Sequence, residues 1–512
     1  MRVVFGMLAG VALSAAAPVH ASWLEARTDH FIVDIDADEP NAREYATKLE
    51  RFDAALRTLY GVADDPARRS NPLRVFALRP ALFQRVCGCT SVLGYYDPRA
   101  GGSVIFSSYL PDIDQKAPPG SLSPRAVMLH EYSHHFMYSN YPNAYPLWYS
   151  EGFAEFNANV QFNADNSMTV GLPANYRYYA LHNGNTELPV KELLNPSPDT
   201  LRDGFAVDRI YGLGWLLTHY LTLDPARKGQ LDTYLALLNK GKPSVEAATM
   251  AFGDIRALYH DLFNYLRANK LAPPLRVPAP THAIAVTITP LSEGAGAMMP
   301  VHARSASGVT TKSANDVAKD GERVAARFPA DPIVQVDLAE AEFDADDLDA
   351  ADAAADRALA AAPTNMTALL YKGRVATARA KKAKATDAAT WGAARAWFLK
   401  ANHSDPNAAL PLLLYYQSFL AAKAEPSPGA LKGLSRAQVL APEDHTVRFL
   451  LARHLLDQGD VASARFLLRP IAYAPHGKAD DDRARQAIDL LDAGKVDEAK
   501  KAMADKPDKD EK

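Results

Sequence analysis

The sequence predicts an α+β domain followed by an all-α array of helical repeats, and three observations carry that reading. Alternating runs rich in β-branched and aromatic residues concentrate in residues 30–106. From about residue 313 the chain turns Ala-rich and helical, and prolines recur along it at near-constant spacing. Between the two lies 271–312, where Pro273, Pro274, Pro278, Pro280 and Pro290 stop any helix. The chain has 512 residues, 48% hydrophobic and 23% charged, a globular composition long enough for a large core. With 56 basic against 60 acidic side chains it lacks the basic excess of a general nucleic-acid binder. No run of about 18 apolar residues marks a membrane span.

Taken in order, residues 1–21 have the layout of a secretory signal peptide: Arg2, an apolar segment 3–17, and Val19-His20-Ala21 as the cleavage signal. No cysteine follows the apolar segment, so there is no lipoprotein attachment site, and the expected location is periplasmic or secreted. Residues 22–120 form the β-containing part. HFIVDI (30–35) reads as a strand, Asp38-Glu39-Pro40 opens a helix that stops near Gly61, and LRVFAL (73–78) is a second strand. Cys87 and Cys89, the only cysteines, are too few for a Cys-rich zinc site and favour a local disulfide or inert thiols. Residues 94–96 and 103–106 suggest a hairpin, and a Pro-rich loop follows at 111–120. The part 121–270 reads as mostly helical, with a helix over 124–141 capped by Ser123, another from about 147, and more over 201–224 and 230–270. The stretch 271–312 reads as a linker or small β element, with one strand over 283–289.

The first of these helices carries His130-Glu131-Tyr132-Ser133-His134. Residues four apart share a helical face, so two imidazoles can reach one metal ion, with Glu131 beside it as a general base. His130 and His135, five apart, diverge; His134 is taken as the second ligand, and His135 is expected to pack or to touch groups that support the ligands. Downstream, residues 147–156 read LWYSEGFAEF. Here the sequence resembles the gluzincin metallopeptidases, which pair HExxH with a glutamate on the next helix in a W-x-x-E-G-x-A-E stretch; Trp148, Glu151, Gly152, Ala154 and Glu155 match it. The resemblance implies a zincin-like domain over 22–270 holding one Zn2+ per chain. It makes Glu151 the third ligand and Glu155 a support that orients a ligand histidine, with the exchange of those two roles left open. Two His and one Glu leave a fourth position for water, the catalytic arrangement. Similar enzymes stabilise the oxyanion with a Tyr or His some sixty residues on: Tyr211 is favoured, His219 is the alternative, and Tyr176, Tyr178 and Tyr179 compete weakly. In that family a strand before the metal helix often lines the cleft, which points to 103–106.

Beyond 313, Pro329, Pro363, Pro406, Pro442 and Pro475 are spaced 34, 43, 36 and 33 residues apart, and LLDQG (455–459) and LLDAG (490–494) lie 35 apart. A period near 34 points to a two-helix solenoid unit. The region 313–505 resembles tetratricopeptide repeats. Leu369 and Gly373 after Pro363, and Arg448, Ala452 and Ala464 after Pro442, fall at that family's positions, although its Trp and Tyr are mostly missing. The tail 506–512 is charged and reads as disordered. The whole implies a secreted or periplasmic zinc-dependent peptidase acting on a peptide or protein substrate, with a separable repeat arm for a protein partner. The other reading is a non-catalytic protein-binding scaffold with a vestigial zincin domain. Endo- and aminopeptidase activity both stay open, although no G-A-M-E-N-like stretch is present.

Overall fold

The structure, a computed structural model, describes residues 23–90, 92–111, 118, 121–182, 188–267, 271–474 and 479–504. The segment expected to be a signal peptide, most of the Pro-rich loop and the tail lie outside the described residues, as does the side chain of Tyr178. An α+β unit built on a six-stranded sheet is followed by an unbroken series of helices. No described helix is long and apolar enough to cross a membrane.

The strands of the large sheet are β1 (Leu24–Arg27), β2 (Phe31–Ile35), β3 (Leu73–Leu78), β4 (Gly94–Asp97), β5 (Val104–Ser108) and a late strand, Thr287–Pro290. Their order is β4-β5-β3-β2-β1 and then the late strand. β2, β3 and β5 run parallel; β4, β1 and the late strand are antiparallel to their neighbours. β2 is buried along its whole length, Asp34 included, so the alternation in its sequence is not an alternation of burial. One face of the sheet, with Val33, Ile35, Val75, Ala77 and Ile105, joins the core under α1 (Glu39–Tyr60) and α3 (Pro124–Asn140). The other, with Phe76, Leu78, Val104 and Phe106, packs against α2 (Pro80–Cys87) and a helix at Glu293–Ala306. Cys87 and Cys89 are joined as a disulfide at the end of α2.

Several expectations change. The strand expected at the cleft is interior: β5 pairs with β3 on one side and β4 on the other, so β4 is the edge strand. The hairpin itself causes this, by folding β4 back onto the outside of β5. Of the two readings of 271–312, the strands favour the small β element over a free linker. Leu275–Val277 pairs with Met168–Val170 in a three-stranded sheet completed by Val160–Phe162, and Thr287–Pro290 completes the large sheet beside β1. The helix Glu293–Ala306 contains Pro300, which the sequence reading did not single out; the five prolines it named lie before this helix.

Two helices cross over the core beside α3. These are α4 (Leu147–Ala158) and α5 (Gly204–Leu223), the latter capped by Asp203. They touch backbone to backbone: a Cβ on Gly152 would lie 2.3 Å from the Gly214 carbonyl oxygen, and one on Gly214 2.4 Å from that of Trp148. Past Thr311 the helices alternate between two kinds of turn. One kind carries proline followed two residues later by the N-terminal residue of the next helix: Pro329 with Asp331, Pro363 with Asn365, Pro406 with Ala408 and Pro442 with Asp444. Asp331, Asn365 and Asp444 each accept a backbone N–H in the first turn. The other kind has a left-handed residue, successively Asp346, Lys384, Lys423, Gly459 and Gly494.

The proline turns face the α+β unit. Ser70 donates to Asp405 (3.1 Å), Asn71 exchanges hydrogen bonds with Asn407 and Ala409 (2.8 and 2.9 Å), and Ala100 N–H donates to Asp444 (2.7 Å). Ala100 is buried in the same cluster as Leu413, Leu440 and Ala441. The array expected to be separable is therefore joined to the first unit through buried contacts.

Candidate metal centre

α3 starts cleanly because Ser123 accepts the Ala126 N–H (3.2 Å) and Pro124 occupies the first turn. It buries His130 and His134 against α4, from which Glu151, fully buried, projects toward both. The three donor atoms form a near-equilateral triangle. His130 Nε2 lies 3.2 Å from Glu151 Oε2 and 3.2 Å from His134 Nε2, and His134 Nε2 lies 3.5 Å from Glu151 Oε2. Ligand bonds of about 2.0–2.1 Å in a tetrahedral site put donors about 3.3–3.4 Å apart. The triangle therefore has the dimensions of three zinc ligands with one open apex. Burial works against a charge on His130, yet Glu151, Glu155 and Glu131 outweigh it and lift its pKa to about 9. The same field favours a cation at the centre of the triangle.

Glu155 stands on the far side of His130, its Oε1 3.7 Å from Nδ1. Its carboxylate is gripped by Arg177 (Nη2 2.5 Å, Nε 3.1 Å) and by the Tyr176 hydroxyl. Tyr211, from α5, lies parallel to the His130 ring at 6.0 Å, with the Arg177 guanidinium 4.9 Å from its ring centre. Its hydroxyl reaches Glu151, and burial together with the charges of Glu151 and Glu131 keeps it protonated, a donor throughout the ordinary pH range. His219 belongs elsewhere: its Nδ1 is 2.9 Å from the Tyr265 hydroxyl, its ring packs on Trp215 and Phe156, and burial lowers its pKa to about 4. Of the weaker candidates, Tyr176 serves Glu155, and Tyr179 is exposed beside Phe205. His135 points off the site, its Nδ1 3.1 Å from the Tyr96 hydroxyl.

Glu131 sits beside the start of β4. A Cβ on Gly94 would fall 3.7 Å from its Cγ and 2.9 Å from Val127 Cγ1, so the edge strand passes tightly along the metal helix. The sequence reading missed the residues that hold His134, namely Ser150 (3.4 Å from Nδ1) and Tyr138, which bonds Ser150 and stacks on the His134 ring. It also missed Arg177. Ser150 could have been found from its place next to Glu151; Arg177 carries no signal until the fold brings it in.

Two more groups of His and carboxylate donors occur among the described residues. In His30, Glu50 and Asp53, the carboxylates are taken by ion pairs with His30 itself and Arg57 (2.6 Å). His302 likewise bridges Asp337 and Glu340 across the junction between the two parts. No protein-family model matches the chain, and no relative is found among curated proteins.

Proposed function

We propose that the chain is a zinc-dependent peptidase of the zincin kind, its metal held by His130, His134 and Glu151. The observation that carries this reading is the donor triangle on two packed helices, with a carboxylate, Glu131, next to it on the same helix. The donor chemistry, two imidazoles and one carboxylate, suits zinc. Zinc bound there would polarise a carbonyl and make water acidic near neutral pH. Glu131 takes the proton from the attacking water and hands it to the leaving amine. Tyr211, kept neutral, donates its hydroxyl hydrogen to the oxygen that gains charge. The outer edge of β4 offers backbone groups to an extended substrate alongside Glu131. The Cys87–Cys89 disulfide fits an oxidising, secreted or periplasmic setting, and the helical pairs fit a tetratricopeptide-like solenoid.

Metal analysis of the purified protein should give one zinc per chain, lost in His134→Ala. Glu131→Gln should keep the metal and lose about 10²–10⁴-fold in turnover on a peptide library. Zinc binding without any hydrolysis by the native chain would leave the scaffold reading in its place.

A further inference from the structure

We propose that Glu443, contributed by the helical array, is a positioning residue of the metal centre: it fixes the edge strand β4 against the metal helix. This rests on the peptidase reading above.

Glu443 occupies the fourth of the proline turns named above, between the helices Pro428–Leu440 and His445–Asp457. The turn does not need it. At the same place in the other proline turns stand Ala330, Thr364 and Asn407, and the helix cap is supplied by the next residue, Asp444. A carboxylate there is 7% exposed, and burial pushes its pKa up. Such a burial is unfavourable unless the group has a specific task.

What it touches defines the task. Glu443 Oε1 accepts from the Ser103 hydroxyl (3.0 Å), which in turn accepts from the Arg99 N–H (3.2 Å) and the Tyr96 hydroxyl (3.4 Å). Tyr96 belongs to β4, and its hydroxyl lies 3.1 Å from His135 Nδ1, next to the ligand His134. Glu443 Oε1 is itself 4.0 Å from that nitrogen. Its other oxygen faces Arg68 at 3.9 Å, and Arg68 holds the end of the metal helix through the Ser139 carbonyl (2.8 Å) and Asn140 (3.2 Å). One side chain thus connects the β4–β5 hairpin, the middle of the metal helix and its C-terminus. Asp444 fastens the same hairpin at Ala100, and a Cβ on Gly101 would press on Leu410 at 2.9 Å, so the array seats the hairpin at several points. Among the described residues β4 pairs with β5 alone, and on the peptidase reading its outer edge is the one offered to substrate. Its distance from Glu131 depends on this bridge.

The test uses the full chain with Glu443→Ala, Glu443→Gln and Ser103→Ala. Two readouts are taken: kinetics on a short peptide the native protein cleaves, and hydrogen exchange of the β4 amides. Glu443→Ala should keep one zinc per chain and raise KM about ten-fold, the scale of one charge-assisted hydrogen bond, with kcat little changed. It should also speed exchange over residues 94–97. Glu443→Gln, still an acceptor for Ser103, should restore both. Native KM and native β4 exchange in Glu443→Ala, or a Gln variant as impaired as Ala, overturns the proposal. Should Glu443→Ala fail to fold, Ser103→Ala decides by the same two readouts. If the native chain cleaves nothing, the peptidase reading falls, while β4 exchange still decides the positioning role: unchanged protection in both Glu443→Ala and Ser103→Ala overturns it.

Discussion

His130 meets a carboxylate near each ring nitrogen, Glu151 at Nε2 and Glu155 at Nδ1, and this fixes which nitrogen is offered to a metal. Both carboxylates were legible as residue types at a helical spacing; their division of labour was not, because residues four apart lie on one face and either could reach the metal. The partners separate them. Glu155 is committed to Arg177 and Tyr176, whereas Glu151 faces both imidazoles. Tyr211 was favoured over His219 although the two share one helix face, and packing gives His219 to Tyr265. The small residue in the motif has its own physical reason. Gly152 lets α4 lie on α5 with no side chain between them, and an added methyl would meet backbone and the Thr218 hydroxyl at 2.4 Å or less. Gly152→Ala should therefore cost about 1–3 kcal/mol or more through overpacking, despite alanine's better helix propensity. Denaturant unfolding of the two forms checks this, and an unchanged or higher midpoint would contradict the close contact.

At the level of elements, the proline spacing exposed the array because Pro329, Pro363, Pro406 and Pro442 mark the same turn, two residues before the cap of the next helix, while Pro475 lies outside the described residues. The alternate turns stayed hidden. Their left-handed residue is glycine only at Gly459 and Gly494, the two positions the sequence repeat LLDQG/LLDAG revealed. At Asp346, Lys384 and Lys423 a side chain occupies the same conformation, with φ of 63°, 50° and 51°. For lysine that geometry is unfavourable by roughly 1–2 kcal/mol, part of which glycine's greater unfolded-state freedom offsets. Lys384→Gly and Lys423→Gly should each raise stability by about 0.5–1 kcal/mol, read as a higher midpoint of thermal unfolding; lower midpoints would show that the turns are not left-handed. β5 illustrates the opposite limit. Its composition identified a strand, but nothing in four residues of sequence tells an edge from an interior position, which depends on where the hairpin partner lands.

Across the molecule, the charge count predicts nothing about where charges are buried, and the structure gathers several of them in His–carboxylate groups. His30 lies between Glu50 (2.5 Å) and Asp64 (3.0 Å) at the foot of α1; burial opposes its charge, but the hydrogen bond to Glu50 and the charge of Asp53 overcome this and raise its pKa to about 9. A raised histidine contributes its full stabilisation below its unfolded value near 6.5 and loses it as pH climbs to about 9. Glu50 is held low by His30 despite burial, and its contribution is lost as pH falls below its unfolded value of 4.5. Stability should therefore be greatest between these limits and decline on the alkaline side between about 6.5 and 9. In His30→Gln the alkaline decline across that window should shrink, measured by denaturant midpoints from pH 5 to 9.5. An identical pH profile in the variant would detach the effect from His30.

Packing between segments far apart in sequence decides how far the chain can be shortened. A boundary near residue 270 looked natural from the prolines, because broken helix and domain edge give the same local signal. In three dimensions the residues just beyond it complete the first unit. Thr287–Pro290 pairs with β1, and Glu293–Ala306 covers Phe76, Leu78, Val104 and Phe106 with Met299 and Ala303. A chain ending at 270 exposes that face of the sheet and β1's backbone edge together, a combination that invites aggregation. It should be insoluble or fail to hold zinc. A chain ending at 308 keeps both covers and loses only the array, including Glu443 and Asp444. It should fold, bind one zinc and cleave short peptides with a raised KM, because the β4–β5 hairpin has lost its seat. Comparing the two for solubility, zinc content and KM separates the contributions. A soluble, zinc-loaded chain ending at 270 would mean that the late strand and helix are dispensable covers. An unfolded chain ending at 308 would mean that the array is part of the first unit's core.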